Sequence, residues 1–213
     1  PPFIPKSLDA MDRLIERLRT FSRYGAWFGG ALIVVAAVIV AIEVLIRKFF
    51  NLTIGGADEL SGFALAISSA FAFSYALLER AHVRIDSVYV LMPSPIRAIL
   101  DISGLIVFIL FMGLFAWHAT GVFTDSVHME ARTMTVLETP LRYPQFFWIT
   151  GLYIFVIVAL ALLVRAVITL LRGDAVGVQR QIGSKSVGEE LDDELEQIEK
   201  RGGPHSGQPG EAG

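Results

Sequence analysis

The sequence predicts an all-α integral membrane protein: four transmembrane helices preceded by an interfacial amphipathic helix. Three observations predict it. Four apolar stretches, residues 26–46, 60–78, 99–123 and 146–164, are each long enough to cross a hydrocarbon core of roughly 30 Å. Hydrophobic residues make up 54% of the chain against 18% charged, and nearly all the charge lies outside those stretches. The connections between them alternate in basic residues. Lipid offers backbone no hydrogen-bond partner, so each stretch must satisfy itself as a helix.

The four spans consume most of the length, dividing the chain into an N-terminal segment, 1–23, a transmembrane domain, 24–172, and an acidic, mostly disordered tail, 173–213. No soluble catalytic domain has room, so the chain is not expected to be an enzyme. The net charge of -3 hides a segregation: the tail is acidic and the segments nearest the membrane are basic, which argues against a nucleic-acid partner and for membrane lipid. The absence of cysteine excludes disulfides, Cys-ligated zinc and iron–sulfur clusters.

Orientation follows from the Lys and Arg count. One side holds Lys6, Arg13, Arg17, Arg19, Arg23, Arg80, Arg84, Arg97, Arg165 and Arg172; the other holds Arg47, Lys48, Arg132 and Arg142. Both termini and the loop 79–97 are therefore expected in the cytoplasm of a bacterium, the protein crossing its inner membrane, with the other two loops outside, in the periplasm if the cell is Gram-negative. The first apolar run is too long for a cleavable signal peptide and lacks a small-x-small site, so span one is expected to stay.

Ahead of span one, Leu8, Met11, Ile15 and Leu18 recur at helical spacing, with Asp9, Asp12, Arg13, Glu16, Arg17 and Arg19 on the other face. This predicts the interfacial amphipathic helix, capped by Ser7, a cytosolic linker being the alternative. Span one pairs Gly25 with Gly29 and Ala37 with Ala41, and span two carries Gly62, Ala66, Ala70 and Ser74 every fourth residue. Such stripes let helices approach closely, although small residues are common in spans. Span three opens with Ser94 as N-cap and Pro95 in the first turn, and Asp101 lies one turn after Arg97. Tyr143, Phe146, Phe147 and Trp148 form an aromatic belt where span four enters, and Arg165 can snorkel at its far end. Beyond Gly173 only 186–200 offers a helical face, through Leu191, Leu195 and Ile198, with Ser186 and Glu189 as a capping box.

Few residues point to chemistry. Glu43 lies one turn before Arg47, which reads either as a structural ion pair near the outer surface or as a proton or sodium site. Asp58 and Glu59 lie a short loop away and can join the same outer cluster. His118, His128 and His82 fall at unmatched depths, a poor fit to haem. Ser, His and Asp are scattered over both sides without nucleophile–base spacing.

One series of motifs goes further: Arg47-Lys48-Phe49-Phe50-Asn51, then Ala57-Asp58-Glu59-Leu60, then Ala81-His82-Val83-Arg84-Ile85-Asp86, with Pro93 soon after and Pro140 and Gly151 later. In this order, over residues 21–172, the chain resembles the small permease subunit of tripartite ATP-independent periplasmic (TRAP) transporters, the DctQ-like family. Phe49-Phe50 departs from that family's aromatic-small-Phe run, and the acidic tail is long for it. The resemblance implies a scaffold for a large DctM-like, multi-span permease subunit. That partner would carry an organic acid with sodium by an elevator-like movement, after delivery by a periplasmic substrate-binding protein. Sodium coupling then resides in the partner, and this chain needs no cofactor. Glu43, Arg47, Asn51, Asp58, Glu59, His82, Arg84 and Asp86 would serve architecture, and the stripe of span two would serve helix packing. Two other classes fit the bare topology: a membrane anchor of a respiratory dehydrogenase, and a self-contained oligomeric channel with Glu43 in its pore.

Overall fold

The computed structural model describes residues 6–53, 55–80 and 92–183, together with Leu195 and Ile198. His82, Arg84 and Asp86 lie outside the described residues, as does most of the expected tail helix 186–200. Five helices account for nearly all of the rest: α1 (Lys6–Phe50), α2 (Ala57–Leu78), α3 (Ser94–His128), α4 (Arg142–Leu171) and α5 (Ala175–Ile182). The first four are long and apolar enough to cross a membrane.

The amphipathic segment is helical, but no break separates it from span one. No proline interrupts residues 6–50, and one helix of 45 residues results, about 68 Å long at 1.5 Å per residue. Less than half of that length suffices for the hydrocarbon, so the first turns project beyond it. Their apolar face is used inside the protein: Ile15 is buried in the main core, with Met11 and Leu18 packed against it.

In space the spans run α1, α2, α4, α3, with α2 and α4 in the middle. Two glycine contacts set how closely they lie. A β-carbon on Gly29 would come within 3.0 Å of Ser68 Cα, and the Ser68 hydroxyl donates to the Gly29 carbonyl at 2.7 Å. A β-carbon on Gly151 would meet Ala70 Cβ at 2.7 Å and the Ala70 carbonyl carbon at 3.0 Å. Backbone thus presses on α2 from α1 on one side and from α4 on the other. Between α4 and its neighbours the core fills with Leu152, Phe155, Val158 and Ala159, and Phe155 takes Phe108 edge-on at 5.2 Å.

The expected stripe of span two divides. Ala70 and Ser74 are fully buried, whereas Gly62 and Ala66 are exposed and Gly62 has open space around it. Four-residue spacing advances 400° per step, so a straight line of residues drifts around the helix and cannot stay on one contact. The start of span three also moves by a residue: Pro93 occupies the N-cap in extended conformation and Ser94 is already helical.

The polar stretch after Arg172, which by composition belongs with the disordered tail, contains α5. Gly173 turns the chain at φ +80, and the Asp174 carboxylate caps the helix by accepting from Gly177 N at 2.7 Å. Val178 is then fully buried among Ala98, Ile102 and Ala166. Eight residues are too few for a periodic signal or for stability alone, and docking on α3 and α4 supplies what propensity cannot.

Gly151 and Gly104 separate close packing from helix propensity. A methyl group on Gly104 would have nothing within 4 Å, so Gly104→Ala is expected to be neutral or stabilising by up to ~1 kcal/mol. Gly151→Ala must force α2 and α4 apart and is expected to cost roughly 1–3 kcal/mol. Unfolding in mixed micelles, followed by tryptophan fluorescence, reads both; equal effects would mean that α2 and α4 do not meet at Gly151.

Candidate functional site

The bundle has two polar ends. At the end opposite the chain termini, α1 stops because Asn51 adopts the left-handed conformation, φ 52, with its N–H on the Arg47 carbonyl at 3.1 Å. Asparagine tolerates that region better than most residues, which gives Asn51 its C-terminal role. Gly55 and Gly56, at φ 73 and 100, then swing the chain into α2, and their bare backbone lies against Val136 and Leu137 of the α3–α4 loop. Asp58 and Glu59 occupy the first turn of α2, where the helix dipole favours anions.

Glu59 ties that loop down. Its carboxylate accepts from the Thr133 hydroxyl at 2.8 Å and from the Thr135 hydroxyl. The loop is itself folded back: Thr133 N donates to Thr139 O at 3.1 Å, Thr139 N donates to the Thr133 hydroxyl at 2.9 Å, and Arg132 bridges Pro140 in antiparallel fashion. Met129, Met134 and Val136 stand almost fully out of it.

Glu43 is buried, 4% exposed, with its carboxylate 3.6 Å from the Arg47 guanidinium one turn on. That is the geometry of the structural ion pair. Among the described residues Arg47 pairs within its own helix and Glu59 goes to the loop threonines, because Glu59 meets hydroxyls folded directly over it. Asp58 is exposed.

At the other end, Arg165 does not simply snorkel. Its Nη2 meets Asp12 Oδ1 at 2.9 Å, joining α4 to the early turns of α1. Arg19 Nε lies 3.8 Å from Glu79 and its Nη2 donates to the Leu78 carbonyl at 3.4 Å; Arg80 Nη1 donates to the Gln179 carbonyl at 3.4 Å. Gln179 Nε2 donates to the Ser94 carbonyl and Gln181 Nε2 to the Thr169 hydroxyl, stitching α5 to α3 and α4. Asp101, one turn after Arg97, is wholly buried within the protein. The four-residue spacing of Arg97 and Asp101 marks the two as neighbours on one helix face, but a one-dimensional spacing says nothing of how deeply Asp101 is buried.

Residues 36–169, more than half the chain, match a family described as tripartite ATP-independent periplasmic transporters, DctQ component. No curated protein and no solved structure matches. The matched range takes in the Glu43–Arg47 pair, Asn51, Glu59 and the folded loop, and leaves out the early turns of α1 and all of α5.

The division of the outer charges is testable. Thr135→Val and Glu59→Gln are expected to be non-additive in a double-mutant cycle, and each should speed amide exchange over 129–141. Arg47→Ala and Glu59→Gln should be additive; coupling between those two would restore the single cluster.

Proposed function

The chain belongs to the DctQ component family of tripartite ATP-independent periplasmic transporters, and from that premise we propose that it is the static scaffold subunit on which a large DctM-like permease assembles. The permease carries an organic acid coupled to sodium, and a periplasmic substrate-binding protein delivers that solute. This subunit sits in the bacterial inner membrane with both termini cytoplasmic, an orientation supported by the arginines gathered at the terminus end.

The observation that carries this reading is the surface of α1. Only 17% of its most apolar window is buried within the chain, against 33% in each of the other spans. Trp27, Val34 and Val35 face outward, and an apolar groove beside them runs past Gly30 and Ala31 to Tyr75. On α2, Gly62 and Ala66 are likewise open. Small residues on an exposed helix face admit another helix closely, the contact that governs association in lipid. Each span is continuous among the described residues, without the broken helix that builds substrate sites in secondary transporters.

Extraction of the tagged chain in mild detergent is expected to bring down a large polytopic permease, identified by mass spectrometry. Vesicles holding this chain alone should show no sodium-driven uptake of labelled carboxylates. Uptake by the chain alone, or recovery of a flavoprotein in place of the permease, would overturn the proposal.

A further inference from the structure

At the terminus end, α1, the end of α2, α4 and α5 enclose a cavity of about 320 Å³. Among the described residues its wall carries three guanidiniums, Arg19, Arg80 and Arg165, each from a different part of the chain, and no carboxylate. Ile15, Leu78 and Leu162 supply its apolar part. Asp12 and Glu79, which pair with Arg165 and Arg19, are not among the lining residues. The three guanidiniums therefore share one half-open cavity, and the two carboxylates that pair with Arg165 and Arg19 are not part of its wall.

Like charges do not gather without cause in a half-enclosed space, because mutual repulsion is screened least where water is scarce. The bonds already made leave capacity over. A guanidinium offers five N–H donors. Arg165 meets Asp12 through Nη2, and its buried Nε has no partner. Arg19 makes contacts of 3.4 and 3.8 Å, both long for a charge-assisted bond. Depth is informative too. Arg165 lies six residues before the end of α4, about 9 Å along the axis, and Arg80 follows the last turn of α2, so the cavity lies at the end of the apolar spans, the level at which a spanning bundle meets headgroups.

We propose that this cavity binds one phosphate group, presented by an anionic phospholipid of the leaflet nearest the chain termini. Forked guanidinium donors match tetrahedral phosphate oxygens. Basic pockets between spans, at headgroup level, suit that chemistry. The volume, at the low end for small-molecule pockets, takes a headgroup and leaves the acyl chains outside. Bound there, the phosphate bridges α1 to α4 and locks the early turns of α1 upright. Arg19, Gly177 and Gln181 fall outside the residues matched to the family and Arg80 and Arg165 inside them; the scaffold proposal uses none of the five as contact surface, resting instead on the outer face of α1. The phosphate site rests on the proposed orientation only for the name of the leaflet, the cytoplasmic one.

The test is a native mass-spectrometry titration of the full chain, with whatever partners co-purify, after a delipidating wash. The probes are phosphatidylglycerol, phosphatidylcholine and inorganic phosphate. Phosphatidylglycerol is expected to bind with a stoichiometry of one and to outcompete phosphatidylcholine. Arg165→Gln and Arg19→Gln should each weaken it about tenfold, the weight of a charge-assisted bond. Arg165→Lys should recover part of the loss, and Arg172→Gln, on the exposed end of α4, should change nothing. If Arg165→Gln does not fold, Arg19→Gln carries the comparison, its side chain being more than half exposed. Occupancy by inorganic phosphate with indifference to phosphatidylglycerol would overturn the lipid as source. Equal binding by wild type and both variants, or retention of no phosphate-bearing species, would overturn the site. Neither readout involves transport, so its failure and that of the scaffold proposal are distinguishable.

Discussion

Backbone pressing on α2 from two sides is the constraint from which the rest of the bundle follows. In lipid, apolar side chains gain little by leaving one hydrocarbon surface for another, so helices associate through close van der Waals contact and shared hydrogen bonds. Gly29 and Gly151 permit both at once. At Gly29 the α1 carbonyl is near enough to accept from Ser68, and at Gly151 the surface of α4 is flat enough for Ala70 to lie on backbone. With α2 held between α1 and α4, and α3 on the far side of α4, it is α4 that meets all three other spans. Phe155, Val158 and Ala159 accordingly have no exposed surface.

The two polar ends then fix what apolar packing leaves free. Helices sliding on smooth surfaces have weak registration along their axes, and directional bonds at the ends supply it. Glu59 holds the α3–α4 loop over the start of α2, and Arg165 holds α4 to the early part of α1. These ties join elements far apart in sequence yet lie near water, where desolvating a charge costs least. Glu43 is different, being buried within a span and matched by the arginine of its own next turn.

This architecture suits a subunit of a larger assembly. α1 contributes the greatest apolar length and buries the smallest share of it, leaving a broad apolar face outside the bundle. α2 and α4 are the elements that pack on both sides, so the outer face of α1 is backed by the most buried part of the bundle.

The sequence by itself determined the number of spans, their helical state and the family, because lipid demands internal hydrogen bonding and hydrophobic length is legible residue by residue. It also carried local signals visible in the structure: acids opening α2 and Glu43 one turn from Arg47. Tertiary structure alone decided which signals were used. In sequence Glu59 had only Arg47 in view across a short loop, and a threonine 74 residues away, which no local pattern could place there, took its carboxylate. The stripe from Gly62 to Ser74 was half core and half surface, a division set by where α4 crosses. α5 was invisible because its few apolar residues acquire meaning only when Ala98 and Ala166 provide a surface. Periodicity records what a segment can bury, and only the neighbouring elements decide whether it does.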